Sequence, residues 1–270
     1  MPLPKNNPGL WLHGSSGRMG REIQKALVDG RGAFRLIGGS AHKFEGEQFY
    51  QGRPVTSELL GHVLQKDNVD IVIDFSGEDA NDVLLAAMAA TPIQDKALLL
   101  GTTGLSEERL AKWRVAAARL NLRLLIAPNT SIGVLLALKA ALLAAPPLSR
   151  MGFDIEITET HHRDKKDEPS GTARFMANTL ASRIGGLSVT KERAGPRRPD
   201  EIGVHSVRGG GVFGEHEIRI IGDAEEICIA HRAFSRTLFA TGALVLADWI
   251  LRQPPGVYGL LDVKLDGLTP

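Results

Sequence analysis

Cysteine is almost absent: Cys228 is the single one in 270 residues. No internal disulfide and no cysteine metal cluster can be built from it, which fits a reducing, cytoplasmic compartment. An excess of charge of one sign is also missing. Lys and Arg number 32 against 31 Asp and Glu, for a formal net charge of +1. A dedicated nucleic-acid binder usually carries a basic face, so no nucleic-acid partner is expected. Long apolar runs are scarce. The longest, "IGVLLALKAALLAAPPL" from Ile132, is interrupted by Lys139 and ended by Pro146-Pro147. It is short for a bilayer, so a buried helix and no membrane partner are expected. The polar start "MPLPKNNPG" shows no secretory signal and reads as a loose tail.

What is present is 43% hydrophobic residues, enough for a folded core, laid out in two patterns. In the first half, short apolar stretches alternate with segments of helical spacing. The stretches are "GLWLH", "FRLIGGSA", "VDIVIDFS", "ALLLGTT" and "LRLLIAPN". The helical segment after "ALLLGTT" opens on Ser106 followed by acids, a good helix start. Continuous apolar strands separated by helices predict a parallel sheet covered on both faces. After Thr130 the pattern changes. A helix precedes "FDIEITETHH", an alternating, half-buried strand, and a second helix covers roughly Thr172 to Ile184. Three consecutive strands then follow, "EIGVHSVRG", "GEHEIRIIG" and "EEICIAHRA", which predicts an antiparallel or mixed open sheet. A helix from Thr237 to Arg252 and a short tail end the chain. The expected fold is an α/β Rossmann-type dinucleotide-binding domain plus an α+β domain with a mixed open sheet. The expected boundaries are residues 1–130 and 131–237, with the segment 238–270 packing back on the first domain.

"HGSSGRMG" joins the first strand to the first helix, and Gly14, Gly17 and Gly20 have G-x-x-G-x-x-G spacing. Glycines there allow a tight turn and a close approach of backbone N–H groups to a pyrophosphate at the helix N-terminus. A tight turn with no ligand would use the same residues. Arg18 adds a charge that could meet a phosphate. Many dinucleotide folds carry an acid after the second strand for the ribose hydroxyls. Ala41, His42 and Lys43 stand here instead, and His42 and Lys43 would welcome a 2′-phosphate, so NADPH is favoured over NADH. "GTTG" (Gly101–Gly104) and "APNTS" (Ala127–Ser131) end strands, where open α/β sheets bind ligands. Asp74-Phe75-Ser76 is a weaker signal of the same kind.

The segment "ETHHRDKKDEPSGTA" (Glu159–Ala173) concentrates histidine, lysine and acid. Alternation up to His162 points His161 and His162 to opposite sides, which argues against a two-histidine metal site. One of the pair could be a general acid. Lys165, with Ser170 or Thr172 capping a helix, suits a carboxylate ligand, but a solvated loop before a capped helix fits equally well.

The stretches "GSSGRMG", "GTTG", "APNTSIGV", "ETHHRDKKDEPSGTA", "SVRGGGVFGEHEI" and "HRAFSRTLFATGA" resemble, in order and spacing, the 4-hydroxy-tetrahydrodipicolinate reductase family, also called dihydrodipicolinate reductase. The resemblance runs from about Leu10 to Asp262. It implies reduction of a cyclic dicarboxylate with NADPH or NADH in the diaminopimelate route to lysine, by a homotetramer of Rossmann and sheet domains. It implies that His161 is the proton donor and Lys165 the second catalytic residue. His162, Ser170, Gly171 and Thr172 are implied at the substrate carboxylate, and Arg236 in "FSR" more weakly. Implied cofactor contacts are Gly14, Ser15, Ser16, Gly17, Arg18 and Met19, then Gly101, Thr102 and Thr103, then Ala127, Pro128, Asn129 and Thr130. Thr130 stands where the family usually has Phe or Met, and Ala41 where many members have an acid. Cations near His161 are expected to disfavour its protonated form, which leaves room for a relay from Lys165 or water. Two rivals compete. A Rossmann semialdehyde dehydrogenase needs a nucleophilic cysteine, and Cys228 reads as a small core residue of an alternating strand. A nucleotide sensor would keep the cofactor fold without the chemistry.

Overall fold

A computed structural model describes residues 7–40, 49–50, 53–54, 57–66, 68–90, 94–191, 193 and 195–268. The chain divides into two units, one made of Met1–Ser131 with Thr237–Pro270, the other of Ile132–Arg236.

The first unit runs β1 (Gly9–His13), α1 (Arg18–Val28), β2 (Arg35–Ser40), a small antiparallel pair β3 (Phe49–Tyr50) and β4 (Arg53–Pro54), α2 (Ser57–Lys66), β5 (Ile71–Asp74), α3 (Glu78–Ala90), β6 (Ala97–Leu100), α4 (Glu107–Arg119) and β7 (Arg123–Ile126). The second unit follows: α5 (Ile132–Arg150), β8 (Asp154–His161), α6 (Gly171–Ile184), β9 (Ser188–Lys191), β10 (Glu201–Arg208), β11 (Glu215–Ile221) and β12 (Glu226–Arg232). The chain then returns to the first unit with α7 (Thr237–Leu251) and β13 (Gly256–Gly259).

The large sheet has the order β13-β7-β6-β5-β1-β2, with every neighbouring pair parallel. Strands β1, β5 and β6 are buried along their whole length, because helices cover both faces. One core layer joins Trp11, Val72 and Leu98 of the sheet to Trp113 of α4 and Leu84 and Met88 of α3. Ser106 caps α4, its hydroxyl accepting from the Arg109 N–H at 3.3 Å, with Glu107 and Glu108 in the first turn. From β1 the chain steps one way to β2, and from β5 the other way to β13. The reversal leaves a crevice at the carboxyl ends of β1 and β5, where open α/β sheets bind ligands.

The second sheet has the order β12-β11-β8-β10-β9. It is mixed, because β8, β10 and β9 are parallel while β11 runs against both β8 and β12. One face packs on α5 and α6: Ile155, Ile157, Ile202, Val204, Ile218 and Ile220 meet Val134, Leu138, Ala141, Ala145, Met176 and Leu180.

Several expectations need correction. Helix α5 does not end at Pro146-Pro147; it continues through both to Arg150. Buried Ala145 on one side and Leu148 on the other pack on the core and carry the helix past the missing N–H groups. It is the one helix among the described residues whose length and apolar composition would suit a membrane crossing, yet one face of it lies in this core. Cys228 is exposed rather than a core residue. It sits on β12, at the sheet edge, where Ile229 turns inward and its neighbours in sequence turn out. Strands β3, β4, β9 and β13 and helix α2 are additions that the sequence reading lacks.

Candidate functional site

The inward face of the second sheet changes character along β8. The register places Ile155 and Ile157 in apolar rows with Ile202, Val204, Ile218 and Ile220. The next row brings Glu159 between Ser206 of β10 and His216 of β11, and the last pairs His161 with Arg208. Period-two alternation thus delivers a buried polar patch at the carboxyl end of β8, and α6 begins beside it.

Glu159 is fully buried and is the hub. Its Oε2 lies 2.5 Å from His161 Nδ1 and accepts from Arg208 Nη1 at 2.9 Å. Its Oε1 accepts from Arg208 Nη2 at 2.7 Å and from the Ser170 N–H at 3.0 Å. Burial alone would raise the carboxyl pKa. The hydrogen bonds from His161, Arg208 and Ser170 outweigh it and hold Glu159 well below the usual carboxylate range. The charge in contact with the His161 ring is thus a carboxylate, itself paired with the Arg208 guanidinium.

His161 is 8% exposed and ends the strand, so His162 lies beyond it, half-buried, with its N–H on the Val212 carbonyl at 2.8 Å. The His161 ring meets the His216 ring edge-on, with centroids 5.3 Å apart. On its other side Gly214 has φ +153°, and a Cβ there would lie 2.9 Å from His161 Nε2. Only glycine leaves that nitrogen its space. His216 is buried, and burial followed by the neighbouring His161 pushes its pKa down to about 3. Its Nε2 is 3.2 Å from Ser170 Oγ.

Ser170, not Thr172, caps α6, its hydroxyl accepting from the Ala173 N–H at 3.1 Å. Lys165 Nζ lies 2.8 Å from Asp167 Oδ1. Against burial, the Lys165 ammonium, and to a smaller degree the Gly171 N–H, holds the Asp167 carboxyl below its usual range. Gly171 and Thr172 form the first turn of α6. Arg236 stacks over the Phe213 ring, its guanidinium carbon 5.5 Å from the centroid. The second unit thus brings His161, Ser170, Glu159, Arg208 and His216 together. The sequence reading missed the last two and gave Glu159 no role. Among the described residues, no group of three or more His, Cys, Asp or Glu side chains is placed to hold a metal ion.

In the first unit, the glycine loop closes the switch-point crevice. Gly14 has φ +83°, and a Cβ on it would lie 2.6 Å from the Phe75 carbonyl; one on Gly20 would lie 2.5 Å from the Gly14 carbonyl. Gly17 begins α1 without a side-chain cap, and no acid occupies the first turn. This turn, with no room for a Cβ at Gly14 or Gly20 and no acid in the first turn of α1, fits a dinucleotide pyrophosphate. Ser15 is buried, Ser16 and Met19 are half-buried, and Arg18 is exposed at the start of α1. Thr102 is buried, with Oγ1 donating to Asp74 Oδ2 at 2.8 Å. Asp74 also accepts from the Ser76 N–H and from Asn81 Nδ2, so one buried carboxylate ties together the turns after β5 and β6. Gly101 follows β6, its N–H on the Asp74 carbonyl, and Thr103 is exposed. Ala127 is buried, Pro128 is exposed, and the Asn129 side chain accepts from the Ser131 N–H. Thr130 is buried and donates to the Phe239 carbonyl at 2.7 Å, tying the exit of β7 to α7. Ala41, His42 and Lys43 lie outside the described residues.

Family models describe nearly the whole chain: "Dihydrodipicolinate reductase, N-terminus" matches residues 9–130, and "Dihydrodipicolinate reductase, C-terminus" matches residues 133–263. The 4-hydroxy-tetrahydrodipicolinate reductase of Aquifex aeolicus is 37% identical over 265 residues, covering 93% of this chain and 96% of that one. The chain belongs to the dihydrodipicolinate reductase family. A second dihydrodipicolinate reductase relative, from Methanosarcina mazei, is 40% identical over 205 residues and 76% of each chain. The dipicolinate-bound dihydrodipicolinate reductase of Paenisporosarcina sp. TG-14 has a TM-score of 0.71 at 23% identity, over 96% of this chain and 100% of that one. A diaminopimelate (DAP) dehydrogenase from C. glutamicum, in complex with DAP, has a TM-score of 0.60 at 11% identity, over 98% and 96%. At these identities the two structures share the fold of this dihydrodipicolinate reductase family member.

Proposed function

We propose that the chain reduces 4-hydroxy-tetrahydrodipicolinate to tetrahydrodipicolinate with loss of water, His161 giving the proton and Lys165 assisting. The observation that carries this reading is the setting of His161. One ring nitrogen is tied to a buried carboxylate, and the other faces the space that Gly214 keeps open. A reduced nicotinamide dinucleotide, when bound, supplies the hydride.

The glycine loop from Gly14 to Met19, with the first turn of α1, takes the pyrophosphate, and the turns at Gly101–Thr103 and Ala127–Thr130 shape the rest of the cofactor site. Lys165 and the Gly171 N–H already gather one carboxylate, that of Asp167. This supports their use, with His162 and Thr172, for a carboxylate of the substrate. Ser170 contributes by capping the helix that presents them. Arg236, held on Phe213, is a further cation for the dicarboxylate. Lys165 offsets negative charge and can return a proton to His161. His42 and Lys43 would favour the 2′-phosphate of NADPH. A homotetramer would use the face of the second sheet turned away from α5 and α6, which carries Thr158, Thr160, Glu217 and Arg219.

The test follows NADPH and NADH oxidation, with substrate made in place from pyruvate and aspartate semialdehyde by the preceding synthase. Synthase-dependent oxidation is expected, faster with NADPH. His161→Gln should lower kcat about a hundredfold, and Lys165→Ala should lower kcat and raise KM for the substrate. Unchanged rates in both variants would sink the assignment, and equal use of both cofactors would sink the role of His42 and Lys43. Light scattering of the purified chain reports the tetramer.

A further inference from the structure

We propose that Glu159 is a positioning residue that fixes the tautomer and ring orientation of His161, with Arg208 as its counter-ion; the effect on turnover rests on the proton-donor reading above. A carboxylate only accepts hydrogen bonds, so at 2.5 Å the Nδ1 of His161 must carry the proton. The other contacts of Glu159, from both ends of the Arg208 guanidinium and from the Ser170 N–H, are also donors, which agrees with an ionised carboxylate. The group is fully buried, so no exposed side chain competes for it. Turning the His161 ring over would place a carbon against Glu159 and lose the bond, while the His216 ring confines it from the side. Nε2, beside Gly214, is then the one nitrogen through which a proton can leave.

The step balances simply. The proton leaves Nε2 of the imidazolium, and the N–H electron pair stays on the ring. Glu159 keeps the Nδ1 proton in place, and Nε2 is recharged from the Lys165 ammonium or from water. Glu159 neither gains nor loses a proton. A carboxylate that holds the second ring nitrogen of a catalytic or metal-bound histidine decides which nitrogen acts. The groups facing His161 are Glu159 on its own strand, Arg208 on β10 and His216 on β11.

The experiment is imidazole nitrogen NMR of the full chain labelled with nitrogen-15 in histidine, the His161 signals assigned through His161→Gln. The wild type should carry the His161 proton on Nδ1 when the ring is neutral. In Glu159→Gln that preference should weaken, with kcat down about a hundredfold and KM for the cofactor within about twofold of wild type. A wild-type spectrum with bare Nδ1 and protonated Nε2 overturns the proposal, whether or not the variant folds. So does a folded Glu159→Gln protein whose kcat stays within about threefold. A wild type that oxidises no cofactor would instead sink the reductase reading, and the spectrum would still decide the tautomer.

Discussion

His216 stands across the sheet from Glu159 and, buried on β11, has a pKa pushed down to about 3 by burial and then by the nearby His161. The unfolded chain takes up that proton near the ordinary value of 6.5, whereas the folded chain resists until about pH 3. Folding stability should therefore fall as pH drops through this window, by up to about 1.4 kcal/mol per pH unit for one proton. His231, whose pKa burial also lowers, adds in the same direction. The carboxylate of Glu159 works lower on the scale, its stabilisation present above about pH 4.5 and fading below it. Urea unfolding of wild type and His216→Gln at a series of pH values checks this. The variant should show a shallower loss between pH 6.5 and 4.5, and an unchanged slope would refute the assignment. At this scale the sequence was half legible. Glu159 and His161, two apart on an alternating strand, must share a face. Arg208 and His216 reach the same spot from other strands, through a register that no local pattern encodes.

Turns, more than strands, separate the readable elements from the hidden ones. Asp74, fully buried at the end of β5, holds Ser76, Asn81 and Thr102, while Trp113 of α4 donates to Asn81 Oδ1 at 2.9 Å. Asp74→Asn replaces one acceptor with a donor and leaves a buried hydrogen bond unmade, at a cost of about 1–3 kcal/mol. Binding of NADPH, followed by protein fluorescence, should weaken about tenfold, because the Gly101–Thr103 turn loses its anchor. Unaltered affinity would separate this network from the cofactor site. Strands β1, β5 and β6 were plain in the sequence because burial on both faces makes them continuously apolar. Helix α2 carried a usable signal in buried Leu60, Val63 and Leu64, spaced one helical face apart, though Gly61 breaks the impression. Strands β9 and β13 are short and only partly buried, so they lack an apolar period, and pairing with a neighbour defines them. The prolines of α5 illustrate the reverse: a strong local stop overruled by packing.

At the scale of the whole chain, the first unit is discontinuous, begun by residues up to Ser131 and finished only from Thr237 onward. Helix α7 packs on α1 and on β5, β6 and β7, burying Leu244, Leu246, Trp249 and Ile250, and β13 extends the sheet beyond β7. A chain ended after Arg236 should therefore lose cooperative unfolding of the first unit and its NADPH binding. Calorimetry and a NADPH titration read both, and retained binding would show that α7 is dispensable. The sequence signalled a change of pattern near Thr130, but not that the sheet would gain a strand from the far end. The second unit, by contrast, is one uninterrupted stretch. Every residue of the second unit is therefore joined to the chain before the elements that finish the first. The strands of the mixed sheet, His161 at the end of β8 among them, have all been synthesised by Arg232, while the parallel sheet still waits for its border strand β13. The order of strands along the chain thus puts the polar patch around Glu159 ahead of the finished switch-point sheet.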